Sequence, residues 1–178
     1  MGFFDRFKKK AAEPAKPAVP SNVDATVEAG TLSAPVSGKV IPMTEVPDPV
    51  FSGEVLGKGC AIWPEDDVVY APANGEITVT MGHAIGMVAE DGIEVLVHIG
   101  VDTVNLQGKG FTGYVVQGDK VVAGQPVIKM DRKVIADAGY KDCVVVAVSN
   151  TTDYATVELA VDANSTIAAG STVLKVAK

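Results

Sequence analysis

The chain has 178 residues, 47% of them apolar and 21% charged, with a formal net charge of −7. That length suits one domain plus a tail, and the ordinary apolar fraction suits a globular core. The acidic balance argues against a general nucleic-acid binder, which needs a basic surface to displace counterions, and no uninterrupted apolar run approaches the ~18 residues of a membrane span.

Residues 1–10, MGFFDRFKKK, differ from everything after them. Met1-Gly2 opens like an acylation site, yet Arg6 stands where that motif wants Ser or Thr. The segment also lacks the apolar core and cleavage region of a signal peptide, which leaves the protein where it is made. Phe3, Phe4 and Phe7 fall on one face of a helix, with Arg6, Lys8, Lys9 and Lys10 beside them. With five basic and two acidic residues, 1–22 carries +3 of the total −7, leaving −10 on the rest. A basic amphipathic segment on an acidic body is either a surface anchor for anionic lipid, through residues 1–16, or a solubilising tail. The Ala/Pro-rich stretch 11–22, AAEPAKPAVPSN, reads as an extended linker, so the body is 23–178.

From Val23 onward the pattern is short Val/Ile-rich runs separated by glycine and proline. It predicts strands at 32–41, 54–62, 68–72, 75–80, 85–89, 93–99, 113–116, 121–129, 143–148, 156–160 and 166–176. Asp131–Tyr140 is the one helix of the body, with Asp131 as N-cap. Two internal echoes mark a repeated β architecture: APVSGKV at 34–40 returns as APANGEI at 71–77, and VVAGQPVIK at 121–129 returns as IAAGSTVLK at 167–175. Nothing alternates strand with long helix, so the fold class is all-β, an antiparallel sandwich or barrel-like single domain with a short N-terminal tail. Cys60 and Cys143 form no CxxC pair and point to a reducing compartment, although spacing alone leaves a bridge between them open.

The only two histidines, His83 and His98, lie fifteen residues apart in the most apolar part of the chain. Strand parity puts Val95, Val97 and Ile99 on a core face, and Glu94, Leu96 and His98 on the other. Glu90-Asp91-Gly92 has hairpin chemistry. Pairing about it makes opposed residue numbers sum to about 182, which leaves His83 and His98 nearly opposite, about 4.5–5.5 Å apart at Cβ. Three chemistries use such a pair. A metal site on His83 and His98 needs a third ligand, for which Asp48 and Asp102 are candidates. General acid–base catalysis wants a perturbed carboxylate or a nucleophile nearby, and no G-x-S-x-G or Cys–His signature is present. Phosphoryl transfer needs one nucleophilic nitrogen and a second group to stabilise charge, which two histidines supply.

Gly92-Ile93-Glu94-Val95-Leu96-Val97-His98-Ile99-Gly100-Val101-Asp102-Thr103-Val104 resembles the phosphohistidine signature of glucose-type IIA domains of the bacterial sugar phosphotransferase system. Asn105 to Phe111 continues the likeness. His83-Ala84-Ile85-Gly86 resembles the second-histidine motif of that family, and Val46-Pro47-Asp48-Pro49-Val50-Phe51 its acidic and apolar rim. Gln117 to Asp131 and Val148-Ser149-Asn150 extend the resemblance, which covers roughly 31–178. The opening Met-Gly-Phe-Phe-Asp resembles the membrane-interacting tail of free-standing members.

The resemblance implies a β-sandwich of duplicated hybrid motifs and a cytoplasmic phosphocarrier, peripheral at the inner membrane face where its tail engages lipid. His98 would take a phosphoryl group on Nε2 from the histidine phosphocarrier protein and pass it to a cysteine of a IIB domain. His83 would donate a hydrogen bond to the phosphoryl oxygens, and the Gly100 carbonyl would accept the Nδ1 proton of His98. The docking rim would be Val50, Phe51, Val55, Leu56, Ile85, Leu96 and Val104, with Asp48 and Asp102 meeting basic partner residues. The resemblance also implies an added role in regulatory binding of permeases or metabolic enzymes. The alternatives are a purely regulatory binding module or a zinc-binding protein on the same scaffold, with zinc shared between the histidines and a partner's carboxylate; no cofactor is required. A zinc hydrolase would want H-x-H, which is absent. One departure stands out. Met81 occupies the place of the family's Thr two residues before the second histidine, and the Gly75–His83 stretch is about two residues short of the family's length. Thr80 is then the orienting hydroxyl only if a bulge turns it toward His83.

Overall fold

Asp, Pro and Gly clusters cut the body into strands shorter than the apolar runs suggest. The computed structural model describes residues 17–178, so the lipid-contact reading of residues 1–16 lies outside the described residues. The strands are β1 (Thr31–Ser33), β2 (Gly38–Pro42), β3 (Lys58–Pro64), β4 (Val68–Tyr70), β5 (Gly75–Met81), β6 (Ala84–Ala89) and β7 (Glu94–Ile99). They continue as β8 (Phe111–Gly113), β9 (Lys120–Val121), β10 (Pro126–Met130), β11 (Val144–Val148), β12 (Thr156–Leu159), β13 (Thr166–Ile167) and β14 (Thr172–Ala177). The helices are α1 (Pro49–Ser52) and α2 (Arg132–Asp137), with 3-10 turns at Met43–Glu45, Thr103–Leu106 and Thr151–Asp153.

One sheet of eight strands runs in the order β13-β2-β3-β11-β7-β6-β5-β9, and two three-stranded sheets, β1-β14-β12 and β4-β10-β8, pack on its inner side. Every pairing is antiparallel. The inner core joins residues of all three sheets, among them Leu32, Val69, Val97, Ile128, Val146 and Leu174. A smaller cluster of Ile41, Met43, Val46, Phe51, Ala61, Cys143, Val145 and Ala147 lies on the outer face. β11, Val-Val-Val-Ala-Val, is buried on both faces, as its unbroken apolar run requires. Cys60 sits in the inner cluster and Cys143 in the outer one, so the sheet separates the two thiols and both are free.

Both sequence echoes are real structural repeats. Ala34 accepts from Gly170 N and donates to the Ser171 carbonyl, while Ala71 accepts from Gly124 N and donates to the Gln125 carbonyl, at 2.8–2.9 Å throughout. β13 pairs with β2 as β9 pairs with β5, and β14 with β1 as β10 with β4. In each half a glycine at positive φ, Gly124 or Gly170, lets residues 23–26 cross close over the turn; a Cβ there would lie 2.2 Å from the Val23 carbonyl oxygen or 2.0 Å from that of Asp24. Val23 N donates to the Gly124 carbonyl and Thr26 N to that of Gly170, both at 3.0 Å.

The expected strand at 54–62 starts only at Lys58. Ahead of it, Asp48 caps α1 and Pro49 takes its first position, a helix-start signal that outweighs the Val/Phe content of the segment. The runs 32–41, 121–129 and 166–176 each break around a turn into two strands belonging to different sheets. The helix expected at 131–140 forms over Arg132–Asp137, with the Asp131 carboxylate accepting from Val134 N at 3.1 Å.

Candidate active site

β7 alternates as its residue types dictate: Val95, Val97 and Ile99 enter the inner core, and Glu94, Leu96 and His98 face outward. β6 pairs with it in the register Ala84↔His98 to Val88↔Glu94, the register read from the Glu90-Asp91-Gly92 turn. His83 is therefore one step past the strand, across from Ile99, whose N–H donates to the His83 carbonyl at 2.8 Å. Pleat alternation alone would send its ring inward with Ile85. It escapes the pleat because Met81 pairs with Ala84, leaving Gly82 and His83 as a two-residue turn. The two imidazoles meet edge to face, with centroids 4.7 Å apart and planes at 78°. The Phe51 ring lies 4.9 Å from His98 at 57°, and Phe111 lies 6.4 Å from His83.

This setting fixes the charge of the pair. Burial first, and then the neighbouring His83, push the His98 pKa from 6.5 down to about 4, while the Gly100 backbone and Asp48 act in the opposite sense. Burial also lowers His83. His98 is neutral near pH 7 and keeps an unprotonated ring nitrogen, the state a nucleophile requires. Its Nδ1 is buried and completes no hydrogen bond. No hydrogen bond therefore joins it to the Gly100 carbonyl that the sequence offered as its acceptor. Gly100 has φ +79°, and a Cβ there would come within 2.3 Å of Thr103 Cγ2 and 2.7 Å of the Lys141 carbonyl oxygen. Gly100 N donates to the Cys143 carbonyl at 2.7 Å, and the buried Thr103 hydroxyl donates to the Ile99 carbonyl, so the turn behind His98 is tied at both sides.

Around the rings lies an apolar surface. Of the residues the sequence offered as a docking rim, Val50, Val55, Leu56 and Val104 are exposed and Leu96 is half-buried. Two expected rim residues are placed otherwise. Ile85 is 1% exposed in the inner core, because it lies on the pleat face opposite His98. Phe51 is 5% exposed and forms a wall against His98 instead of a free rim. Thr80 is also corrected as an orienting hydroxyl. A bulge does occur, between Ile77 and Val79, but Thr80 then pairs with Ile85 and turns away from His98, while Met81 pairs with Ala84 on the His98 face. Val79, 41% exposed, and Met81, 43% exposed, join the rim. Sequence reasoning missed both, although the short Gly82-His83 turn carried the signal for Met81. A groove lined by Leu56, Val79, Gly86, Leu96 and Ser149 continues the surface away from the rings.

Asp102 stands in solvent at φ +59°. The Asp48 carboxylate accepts from Val50 N at 2.8 Å and Phe51 N at 3.3 Å. Among the described residues no group of three or more His, Cys, Asp or Glu side chains is placed to hold a metal ion.

Residues 30–154 match the family described as phosphoenolpyruvate-dependent sugar phosphotransferase system, EIIA 1. The chain belongs to this family. It is 41% identical over 123 residues to a glucose-specific EIIA component of Oceanobacillus iheyensis, covering 68% of this chain and 74% of that one. It is 43% identical over 125 residues to a beta-glucoside-specific EIIBCA component of Bacillus subtilis, covering 69% of this chain but only 20% of that longer protein. The structure of glucose permease IIA from Mycoplasma capricolum superposes with a TM-score of 0.72 at 32% identity, covering 81% of this chain and 93% of that one. The all-β sandwich and the role of phosphotransferase component thus stand together, and neither a zinc protein nor a purely regulatory module finds support in these likenesses. In this EIIA chain the family match stops at residue 154, yet β12, β13 and β14 complete the same sheets. No helix of the described residues is long and apolar enough to cross a membrane.

Proposed function

We propose that His98 is the phosphoryl acceptor of this EIIA chain, that His83 stabilises the transferring group, and that the surrounding apolar surface receives two partners in turn. The observation that carries this reading is the pair of imidazoles, 4.7 Å apart and edge to face, with the Phe51 ring against His98; burial of His98 favours its neutral form. Because Nδ1 is the buried nitrogen, Nε2 is the one that attacks. In the first step the N–P bond of the histidine phosphocarrier protein's phosphohistidine breaks as a bond forms between phosphorus and Nε2 of His98. In the second, that bond breaks as phosphorus passes to a cysteine thiolate of a IIB domain, and His98 returns to its neutral state. An N–H of His83 donates to a phosphoryl oxygen in both steps, where charge develops. The relatives that carry IIB and IIC portions in one chain support a IIB partner. Val50, Val55, Leu56, Val79, Met81 and Val104 give both partners a water-excluding contact, which slows hydrolysis of the labile P–N bond. The reading places the chain in the cytoplasm, and the sugar is selected by the permease and not by this chain.

The test is phosphoryl transfer from labelled phosphoenolpyruvate through enzyme I and the phosphocarrier to wild type, His98→Gln and His83→Gln. Wild type takes acid-labile, base-stable label and His98→Gln takes none. His83→Gln accepts label but passes it poorly to a IIB domain. Unlabelled wild type beside a labelled control chain would overturn the reading.

A further inference from the structure

Asp48 has an engagement within its own chain that a partner-facing carboxylate does not need. It sits in extended backbone at φ −152° and ψ 124° immediately before α1, and its Oδ1 accepts from both Val50 N and Phe51 N. Its own carbonyl accepts from Ser52 N at 2.8 Å, Pro49 fills the first helical position, and Gly53 N closes the turn onto the Pro49 carbonyl at 3.0 Å. Four residues cannot hold a helix by propagation, so the cap and the buried anchor decide whether the turn forms. The anchor is Phe51, which packs in the outer cluster with its ring 4.9 Å from that of His98.

We propose that Asp48 is a positioning residue for the transfer reaction, acting by capping α1 so that Phe51 is held against the His98 imidazole. This rests on His98 being the acceptor. The Phe51 wall keeps water off one side of the ring and limits its rotation, so Nε2 meets an incoming phosphorus in a narrow range of orientations. Loss of the cap frees Phe51 and loosens both restraints. The charge of Asp48 also reaches His98 and favours its protonated form, so removing charge and removing the cap are separable changes. Asn caps a helix as well as Asp does, whereas Ala does not.

The experiment compares Asp48→Ala, Asp48→Asn and Phe51→Leu in the full chain. The first readout is the chemical shift of the His98 imidazole C–H groups, recorded on the protein alone near pH 7, where the ring current of Phe51 marks its position. The second is the single-turnover transfer rate from phosphorylated phosphocarrier at limiting and saturating donor. Asp48→Ala should move the His98 resonances in the direction of Phe51→Leu and slow transfer at saturating donor roughly five-fold, the size of a lost cap. Asp48→Asn should restore both. Equal slowing in Asp48→Ala and Asp48→Asn that disappears at saturating donor would make the carboxylate a partner contact and overturn the proposal. Unmoved His98 resonances in Asp48→Ala would overturn it as well. Absence of label on wild type would instead defeat the acceptor reading, and the resonances would still decide whether the cap places Phe51.

Discussion

Lowering the pH should expose the cost of a buried imidazole at His98. Its pKa falls from 6.5 in a free chain to about 4 in the fold, with burial the first cause and His83 the second. The unfolded chain therefore takes up a proton as the pH drops through about 6.5, while the folded chain declines it until about 4. The depressed value makes the folded state the poorer proton binder, so stability is intact above the unfolded pKa and is lost through that window. At about 1.36 kcal/mol per unit, the loss approaches roughly 3 kcal/mol near pH 4. Carboxylates titrate in the same range, so a single melt does not isolate the term. Urea unfolding of wild type and His98→Gln at about pH 7 and pH 4 removes the common part. Wild type should lose roughly 3 kcal/mol more than His98→Gln on acidification. Equal losses would show that His98 is solvated enough to protonate in place near its free value, and would overturn the burial argument. The same depressed pKa predicts that acceptance of phosphate by His98 stays flat between about pH 8 and pH 5, provided the donor's own titration is measured alongside.

Gly100→Ala should destabilise the fold by about 3 kcal/mol or more in urea unfolding. The left-handed backbone costs an L-residue about 1–2 kcal/mol, and the new Cβ strikes the Thr103 side chain and the Lys141 carbonyl. A change under about 0.5 kcal/mol, the range of surface substitutions, would mean that the turn behind His98 is free to relax. Val79→Asp and Leu56→Asp, at exposed positions of the groove, should leave stability within about 0.5 kcal/mol. Each should raise the KM for phosphorylated phosphocarrier at least about ten-fold, as burying an unpaired carboxylate against a partner requires. An unchanged KM for both would place docking elsewhere.

The histidine pair was legible because three local rules converge on it. Alternation in Glu94–Ile99 assigns the faces, the Glu90-Asp91-Gly92 turn assigns the register, and no other imidazole competes. The two echoes were legible because the same glycine turn must recur wherever residues 23–26 pass close overhead. What escaped sequence reading depends on contacts between distant segments. Val50 and Phe51 look like strand residues until Asp48 and Pro49 are weighed as a cap and first turn. Ile85 looks like rim because it neighbours His83 in sequence, yet the turn that swings His83 outward leaves Ile85 on the inner pleat face. Thr80 and Met81 exchange roles through a bulge that no residue type in Ile77-Thr78-Val79 announces.

The duplication explains why there is one site and not two. The sheet pairings relate β7 to β11 by a local two-fold axis, under which His98 corresponds to Ala147 and Ala84 to Gly59. The halves differ in the connection that enters the corresponding strands. Between β5 and β6 it is Gly82-His83 alone, which delivers the second imidazole at the strand end. Between β2 and β3 it is the longer stretch 43–57, which folds back over the outer face and buries Ala147, Val145 and Ala61 under Met43, Val46 and Phe51. One connection is therefore short enough to present a histidine, and the other is long enough to cover its own half and reach the far one with Phe51. An imidazole at position 147 would be sealed under that cover, with no route for a partner. Lengthening the β5–β6 turn would release His83 into the pleat alternation that the two-residue turn now overrides. The site thus arises where a symmetric scaffold is made unequal, by loop length on both sides of one histidine.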